Sequence, residues 1–336
     1  MPVENDLRLS IIVPVYNRPD EVAELLESLS HQTNKNFEVL VIEDGSTLKC
    51  DKVCQRYGDK LNLHYYFKPN SGRSETRNYG MNHANGNYFI IFDSDCIMPE
   101  EYVELAIKHL TTTYVDCYGG PDAASHSFND MQKAISYAMT SFMTTGGIRG
   151  GKNVKEFTPR SFNMGISKEA YQKVGGYKNM IGEDIDLSLR LKEAGFKSQL
   201  FPDVYVYHKR RVNLKKFFWQ VNTFGKARLL LNKLHPGSLK LIHTLPAIFT
   251  LSNVCLVLLA ILSAIFKHSY WWVWLVPIIC YILTVFIGSF IKNKKISIAF
   301  LSIAASFAQL FGYGLGLIDE FFTRKASRKN QEELYK

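Results

Sequence analysis

Through the first two hundred residues, short apolar runs alternate with amphipathic stretches and polar turns. Leu9–Asn17 reads as a buried strand that a proline turn closes. Pro19-Asp20-Glu21 then opens a helix, with Val22, Leu25, Leu26 and Leu29 at helical spacing. Phe37–Ile42 is a second strand, ending in Glu43-Asp44-Gly45-Ser46, and Leu61–Phe67 is a third. Strand, helix, strand implies a parallel pair joined by a right-handed crossover. The loop Asn70–Ser74 leads into a helix over Glu75–Ala84, and Phe89–Phe92 forms the next strand. Further on, Tyr114–Gly120 and Phe162–Ser167 read as strands. Phe128–Met143 and Lys168–Val174 read as helices, and a Gly-rich loop occupies Thr144–Lys155. The pattern predicts a nucleotide-binding α/β domain over residues 1–205.

The chemistry concentrates where strands end. Phe89-Ile90-Ile91-Phe92 stops in Asp93-Ser94-Asp95, two carboxylates one residue apart at the edge where open α/β sheets bind ligands. Such a pair can hold a hard divalent cation, and the cation a diphosphate. A polar turn after a strand accounts for the same residues without chemistry. Asp44 is placed to accept from a base N–H, and Arg73 or Arg77 to reach base or phosphate. Asp-Gly-Ser is equally a turn signal. Gly182-Glu183-Asp184 opens a helix carried by Ile185, Leu187, Leu189 and Leu191. Its two acids suit the positive end of the helix dipole, and the same placement would present a general base at the edge of a site.

Composition changes the picture in the second half. Of 336 residues 46% are hydrophobic, and the net charge is +9. No Asp or Glu occurs from Val204 to Ile318. Nine Lys or Arg fall between His208 and Lys240, interleaved with Leu214, Phe217, Phe218, Val221 and Phe224 at helical spacing. This predicts a basic amphipathic helix over an anionic membrane surface, in preference to a nucleic-acid partner. Three uncharged runs follow, 246–266, 270–291 and 296–318, each long enough to span a bilayer. Lys292-Asn293-Lys294-Lys295 belongs on the cytosolic side, and Tyr270, Trp271, Trp272 and Trp274 form an aromatic belt at the far one. Three spans would put the basic tail outside. The third run, with Gly312, Gly314 and Gly316, packs against another helix or re-enters. The polar opening, Met1–Ser10, reads as no secretion signal, so the first domain is expected in the cytosol and the spans in the inner membrane. The six cysteines have neither paired spacing nor a nearby His cluster, which excludes a disulfide framework or zinc site.

Taken in order, Val13-Pro14-Val15-Tyr16-Asn17, Glu43-Asp44-Gly45-Ser46, Gly72-Arg73 through Thr76-Arg77-Asn78-Tyr79-Gly80, Asp93-Ser94-Asp95, Asn163-Met164 and Gly182-Glu183-Asp184 resemble the motifs of a family 2 glycosyltransferase. His208 followed by Gln220–Gly225 extends the match. The resemblance implies a GT-A fold with a mostly parallel sheet, followed by C-terminal transmembrane helices. It also implies an inverting transfer from a nucleotide-sugar, with UDP preferred over GDP. The basic helix and the spans point to a lipid-linked saccharide as acceptor; the alternatives are transfer to a polyprenyl monophosphate and a non-catalytic nucleotide-sugar-binding membrane scaffold. By this likeness Pro14, Tyr16, Asn17, Glu43, Asp44, Gly72, Arg73, Arg77 and Asp93 would bind the donor nucleotide. Asp93 and Asp95 would hold Mg or Mn, with Asp95 the direct ligand. Asp184 would be the catalytic base and Glu183 its support, while Asn163, His208 and Gln220 would lie on the acceptor and membrane side. The Gln-x-x-Arg-Trp signature of processive synthases is missing, since Trp219-Gln220-Val221-Asn222-Thr223 stands there; this favours one sugar per binding event.

Overall fold

The computed structural model describes residues 7–123, 128–146, 158–208 and 213–326. It divides the chain into two compact units. One is Met1–Ser125 with Lys152–Lys209, and the other is His126–Gly151 with Arg210–Lys336.

The first unit opens with β1 (Leu9–Val15), α1 (Pro19–Ser30), β2 (Phe37–Asp44), α2 (Asp51–Tyr57), β3 (Leu63–Lys68), α3 (Arg73–His83) and β4 (Tyr88–Phe92). These build the parallel half of a sheet in the order β3-β2-β1-β4. The strands are buried on both faces, which is why β1, β2 and β4 read as continuous Val, Ile and Leu runs. Then come β5 (Cys96–Ile97), α4 (Tyr102–Thr112), β6 (Cys117–Gly119) and β7 (Asp122–Ala123).

The second unit contributes α5 (Asp130–Thr140) and α6 (Phe142–Thr145). The first unit resumes with β8 (Asn163–Ser167), α7 (Lys168–Val174), α8 (Glu183–Glu193), β9 (Ser198–Leu200) and β10 (Val206–His208). β8 enters the sheet antiparallel between β4 and β6, and β9 closes it beside β6. A small sheet pairs β10 antiparallel with β5 and parallel with β7. The hydrophobic pattern had left 126–151 within the first domain. Its capped helix α5 instead buries Ala134, Ile135, Ala138 and Met139 in a cluster with residues of the second unit.

The rest of the second unit is α9 (Leu214–Leu234), α10 (Leu241–Ile265), a 3-10 turn at Trp271–Leu275, α11 (Val276–Asn293) and α12 (Ile296–Ala326). Three segments, Leu241–Ile265, Trp271–Asn293 and Ile296–Thr323, are long and apolar enough to cross a membrane. The expectation that α9 turns its apolar face to lipid is corrected. Phe217 and Val221 are fully buried, and α9 lies against α12. The α12 glycines explain the fit: a Cβ at Gly316 would come within 2.1 Å of Asn222 O, and one at Gly312 within 2.6 Å of Val221 Cγ2. Reciprocally, a Cβ at Gly225 would meet Tyr313 O at 2.1 Å. Small residues at these positions let the two backbones touch.

Candidate active site

Adjacent parallel strands carry the candidate residues to one edge. Val15 lies in register with Glu43, and Ile12 with Ile91, so Asn17, Asp44 and Asp93 all emerge at the carboxyl ends of β1, β2 and β4. That is where such a sheet leaves room for a ligand.

At the β2 end Asp44 organises a loop. Its Oδ1 accepts from Lys68 Nζ and from Ser71 N at 2.9 Å, and its Oδ2 from Gly72 N at 2.9 Å. Burial opposes its charge, but the Lys68 ammonium and the Ser71 N–H outweigh burial and hold the carboxyl below the usual aspartate range. Gly72 sits at φ +88°, a left-handed conformation open to glycine, and caps α3. Most of Asp44's accepting capacity is thus used inside the protein. Glu43 is buried and accepts from Cys50 N at 2.8 Å and Tyr65 OH at 2.7 Å, which makes it a brace under the loop. Asn17, also left-handed at φ +54°, accepts from Thr47 N and Leu48 N at 2.9 Å. It ties the β1 turn to the β2 turn. Tyr16 is exposed, and Pro14 is half-buried within β1.

The carboxylates themselves are joined by arginines. Arg77, buried on α3, donates through Nη2 to Asp93 Oδ1 at 2.8 Å and through Nη1 to Glu183 Oε1 at 3.0 Å. Arg73, one turn earlier, closes on the same carboxylate with Nε–Oε1 and Nη2–Oε2 both at 2.7 Å. Burial works against the Arg77 charge, yet Asp93 and Glu183 raise its pKa. The guanidinium also lies 5.2 Å from the centre of the Tyr177 ring. Arg73 and Arg77, expected to reach base or phosphate, both hold Glu183 here, and Arg77 holds Asp93 as well. Glu183 is buried with both carboxylate oxygens taken by these arginines, and the more exposed member of the pair is its neighbour. Asp184 is half-buried, accepts from Ile185 N at 2.8 Å, and faces Arg160 Nη1 at 3.3 Å. Gly182, left-handed at φ +82°, turns both acids into the first turn of α8.

Asp95 pairs with Arg18 Nη1 at 3.0 Å. Asp93 and Asp95 are hard oxygen donors, the chemistry Mg and Mn prefer. Among the described residues no cluster of three or more His, Cys, Asp or Glu stands ready for a metal. Two carboxylates fit a cation that takes its remaining ligands from a diphosphate and water.

Three more positions complete the picture. Asn163 is buried, accepting from Tyr102 OH at 2.6 Å and donating to Val204 O at 2.9 Å. It holds β8 to the core and has no side-chain face for an acceptor. The backbone of His208 pairs with Cys96, the residue after Asp95, so β10 brings it beside the carboxylate pair. Gln220 lies on α9 in the second unit. Of the Gly-rich loop over Thr144–Lys155, residues 147–155 lie outside the described residues. Sequence reasoning missed Arg18, Arg160 and Tyr177. Arg18 directly follows the Val13–Asn17 motif, the one signal that could have found it; Arg160 stands in a stretch without periodicity.

Residues 10–175 match the model of glycosyl transferase family 2. Glycosyltransferase GlyA of Streptococcus pneumoniae serotype 4 is 34% identical over 128 residues, which is 38% of this chain and 18% of that protein. An uncharacterized glycosyltransferase of Rickettsia felis is 38% identical over 32% of this chain and 18% of its own length. The chain thus spans less than a fifth of the length of these relatives. Glycosyltransferase AglE of Haloferax volcanii is 24% identical over 60% of this chain and 67% of that one. Among solved structures, the mannosyltransferase PcManGT from Pyrobaculum calidifontis, in complex with GDP-Man and Mn2+, superposes with a TM-score of 0.64. Identity is 17%, over 93% of this chain and 89% of that one. S. aureus TarS 1–349 gives a TM-score of 0.51 at 18% identity, over 96% and 93%. Both likenesses are of fold. The chain therefore carries a family 2 glycosyltransferase domain of GT-A fold, followed by three helices long and apolar enough to cross a membrane.

Proposed function

We propose that this domain performs an inverting, metal-dependent transfer of one sugar from a nucleotide-sugar to a lipid-linked saccharide at the cytosolic face of the inner membrane. The observation that carries the reading is the arginine-linked set at one sheet edge: Asp93 and Asp95 after β4, with Glu183 and Asp184 opening α8 and Arg77 bridging the two groups. Asp93 and Asp95 would hold Mg or Mn, which on binding neutralises charge developing on the departing diphosphate. Asp184 takes the proton from the acceptor hydroxyl as that oxygen attacks the anomeric carbon. Clamped by Arg73 and Arg77, Glu183 fixes the start of α8, which aims its neighbour. Arg160 Nη1 lies 3.3 Å from Asp184 Oδ2 and holds that carboxylate in place. The bond from anomeric carbon to phosphate oxygen breaks on the opposite side, so the product anomer is the reverse of the donor's.

The lipid-linked acceptor rests on the membrane-type helices of the same chain. The base on the donor is read as uracil; GDP-Man in PcManGT, a fold neighbour only, makes guanine the comparison to run. The test supplies UDP- and GDP-sugars with Mg or Mn, and a lipid extract or a soluble saccharide, to the full chain in detergent. Transfer to extract lipid with inverted configuration at the new linkage supports the reading. Retained configuration overturns inversion, full activity in chelator overturns the metal, and equal transfer to the soluble saccharide overturns the lipid acceptor.

A further inference from the structure

The three apolar helices of the second unit differ in what surrounds them. α10 exposes Leu251, Val254, Val257, Leu258, Ile261, Leu262 and Ile265, and α11 exposes Ile279, Leu283 and Ile287. These are surfaces for hydrocarbon. In the most apolar window of α10 17% of residues are buried, and in that of α11 11%; for α12 the share is 44%, at a lower hydropathy.

Two of the helices packed on α12, α5 and α9, carry charged faces as well as the apolar ones they bury. Near its start Asp130 of α5 pairs with Lys295 at 2.8 Å and accepts from Ser297 at 2.7 Å. Farther along, α9 lies on Gly312 and Gly316, and Lys226 reaches Asp319 at 2.6 Å. α9 also carries Lys215, Lys216 and Lys233, all exposed. A crossing α12 would drag these helices to membrane depth with their charges toward lipid, at a cost of several kcal/mol for each charge near the centre.

α10 and α11 meet α12 only through parts of their length. Thr250 and Pro246 of α10 touch Gly314, and Phe249 stacks on Phe307 and Phe311. From α11, Ser289 Oγ lies 2.7 Å from Ser302 Oγ. Beyond Asn253, Ala260 is the one buried residue of α10. The hairpin of α10 and α11 thus leaves α12 and continues without it to the Trp271–Leu275 turn. The large apolar side chains that α12 still exposes are Ile296, Phe300, Leu315, Phe321 and Phe322. At 3.6 residues per turn they fall within an arc of about 120°. Phe307 and Phe311, in the middle of that arc, are met by Phe249 of α10, and Phe300 by Phe286 of α11, so the stripe is open towards the ends of α12 and covered where the two spans pass. An apolar stripe of this kind is the surface of a helix lying in the membrane interface beside its spans.

We propose that the chain crosses the bilayer twice, through α10 and α11, and that α12 lies in the interface, with its exposed stripe in the lipid and both its ends on the side where α10 begins. The partner of that stripe is the headgroup–acyl boundary of the bilayer. This arrangement removes the conflict between three spans and the basic residues that follow Asp319.

Single cysteines decide it. In the full chain with Cys255→Ser and Cys280→Ser, whose thiols are the two exposed ones, His268→Cys, Lys294→Cys and Phe322→Cys are each treated with a membrane-impermeant thiol reagent in sealed vesicles of either orientation. Modification of Lys294→Cys and Phe322→Cys from the same side, with His268→Cys from the other, is expected. Phe322→Cys modified from the His268 side overturns the proposal. An epitope appended after Lys336 gives the same reading by protease access if Phe322→Cys is buried in lipid or fails to fold. Depth adds a second measure. Phe300 and Leu315 are about 22 Å apart along the axis, and Leu315 and Phe322 about 10 Å. Spin labels at the three sites should share one depth to within about one helical turn. A depth that runs from water at Phe322 to the hydrocarbon core at Leu315 would sink the idea.

Discussion

Replacing Arg77 by Met keeps the apolar stem of the side chain and removes the guanidinium with its charge. Two carboxylates then lose a partner. Asp93 is one-third exposed and can recover water, whereas Glu183 is 5% exposed and keeps only Arg73, itself 61% exposed. Breaking a buried pair by deleting one partner costs about 3–5 kcal/mol. Because Arg73 remains and Asp93 rehydrates, the low end, about 3 kcal/mol, is expected. In a unit of this size each kcal/mol moves the midpoint by about 2–4 °C, so Arg77→Met should lower Tm by about 6–12 °C. Arg73→Met removes a mostly exposed partner and should cost at most about 1 kcal/mol, hence no more than about 4 °C. Differential scanning calorimetry in detergent compares the two. A third variant sharpens the comparison: adding Glu183→Gln to Arg77→Met removes the stranded charge and should recover part of the loss. Equal shifts for Arg77→Met and Arg73→Met, or no recovery in the double variant, would refute the view that Arg77 is the buried link of the network.

Asp184→Asn should lower kcat by about 10²–10⁴-fold and leave donor binding intact, checked by initial rates beside calorimetric donor titration. Asp95→Ala should abolish Mn2+ binding followed by electron paramagnetic resonance in the presence of nucleoside diphosphate, while the far-ultraviolet circular dichroism stays unchanged. The depressed pKa of Asp44 gives stability that is fully present above the unfolded aspartate value, near pH 4, and is lost as pH falls through the lower folded value. The stability gap between wild type and Asp44→Asn, from urea unfolding, should therefore be constant at neutral pH and close in acid. Gly316→Leu would drive a Cβ into Asn222 O and should destabilise the second unit by about 1–3 kcal/mol, read as lost protease resistance of α9.

The strands and their chemistry were legible because β1, β2 and β4 are buried on both faces and end in turns rich in Asp, Asn and Gly. The fully buried pattern marks the strand, and the sudden polar end marks the edge. α2 has only Val53 and Cys54 to bury and resembles a loop between strands, whereas α4 buries Val103, Ala106, Ile107 and Leu110 at a helical spacing that the sequence did carry. The antiparallel entry of β8 could not be read either, because a five-residue apolar run does not show its direction. Candidate residues were legible as types and not as partners. Glu183 and Asp184 are adjacent in sequence, and only the arrival of Arg73 and Arg77 from α3 separates a clamped carboxylate from an available one. Asn163 looked like a site residue and is a core one, since Tyr102 and Val204 reach it from distant segments. For α9 the helical period was right and the apolar face was assigned to lipid; the glycines of α12 give that face a protein partner.

The most direct measurement is nucleotide release by the full chain, offered UDP- and GDP-sugars with Mg or Mn and a total lipid extract. The account predicts release from one donor, lost in both Asp95→Ala and Asp184→Asn although each still folds. Release that continues at the wild-type rate in either variant would contradict it.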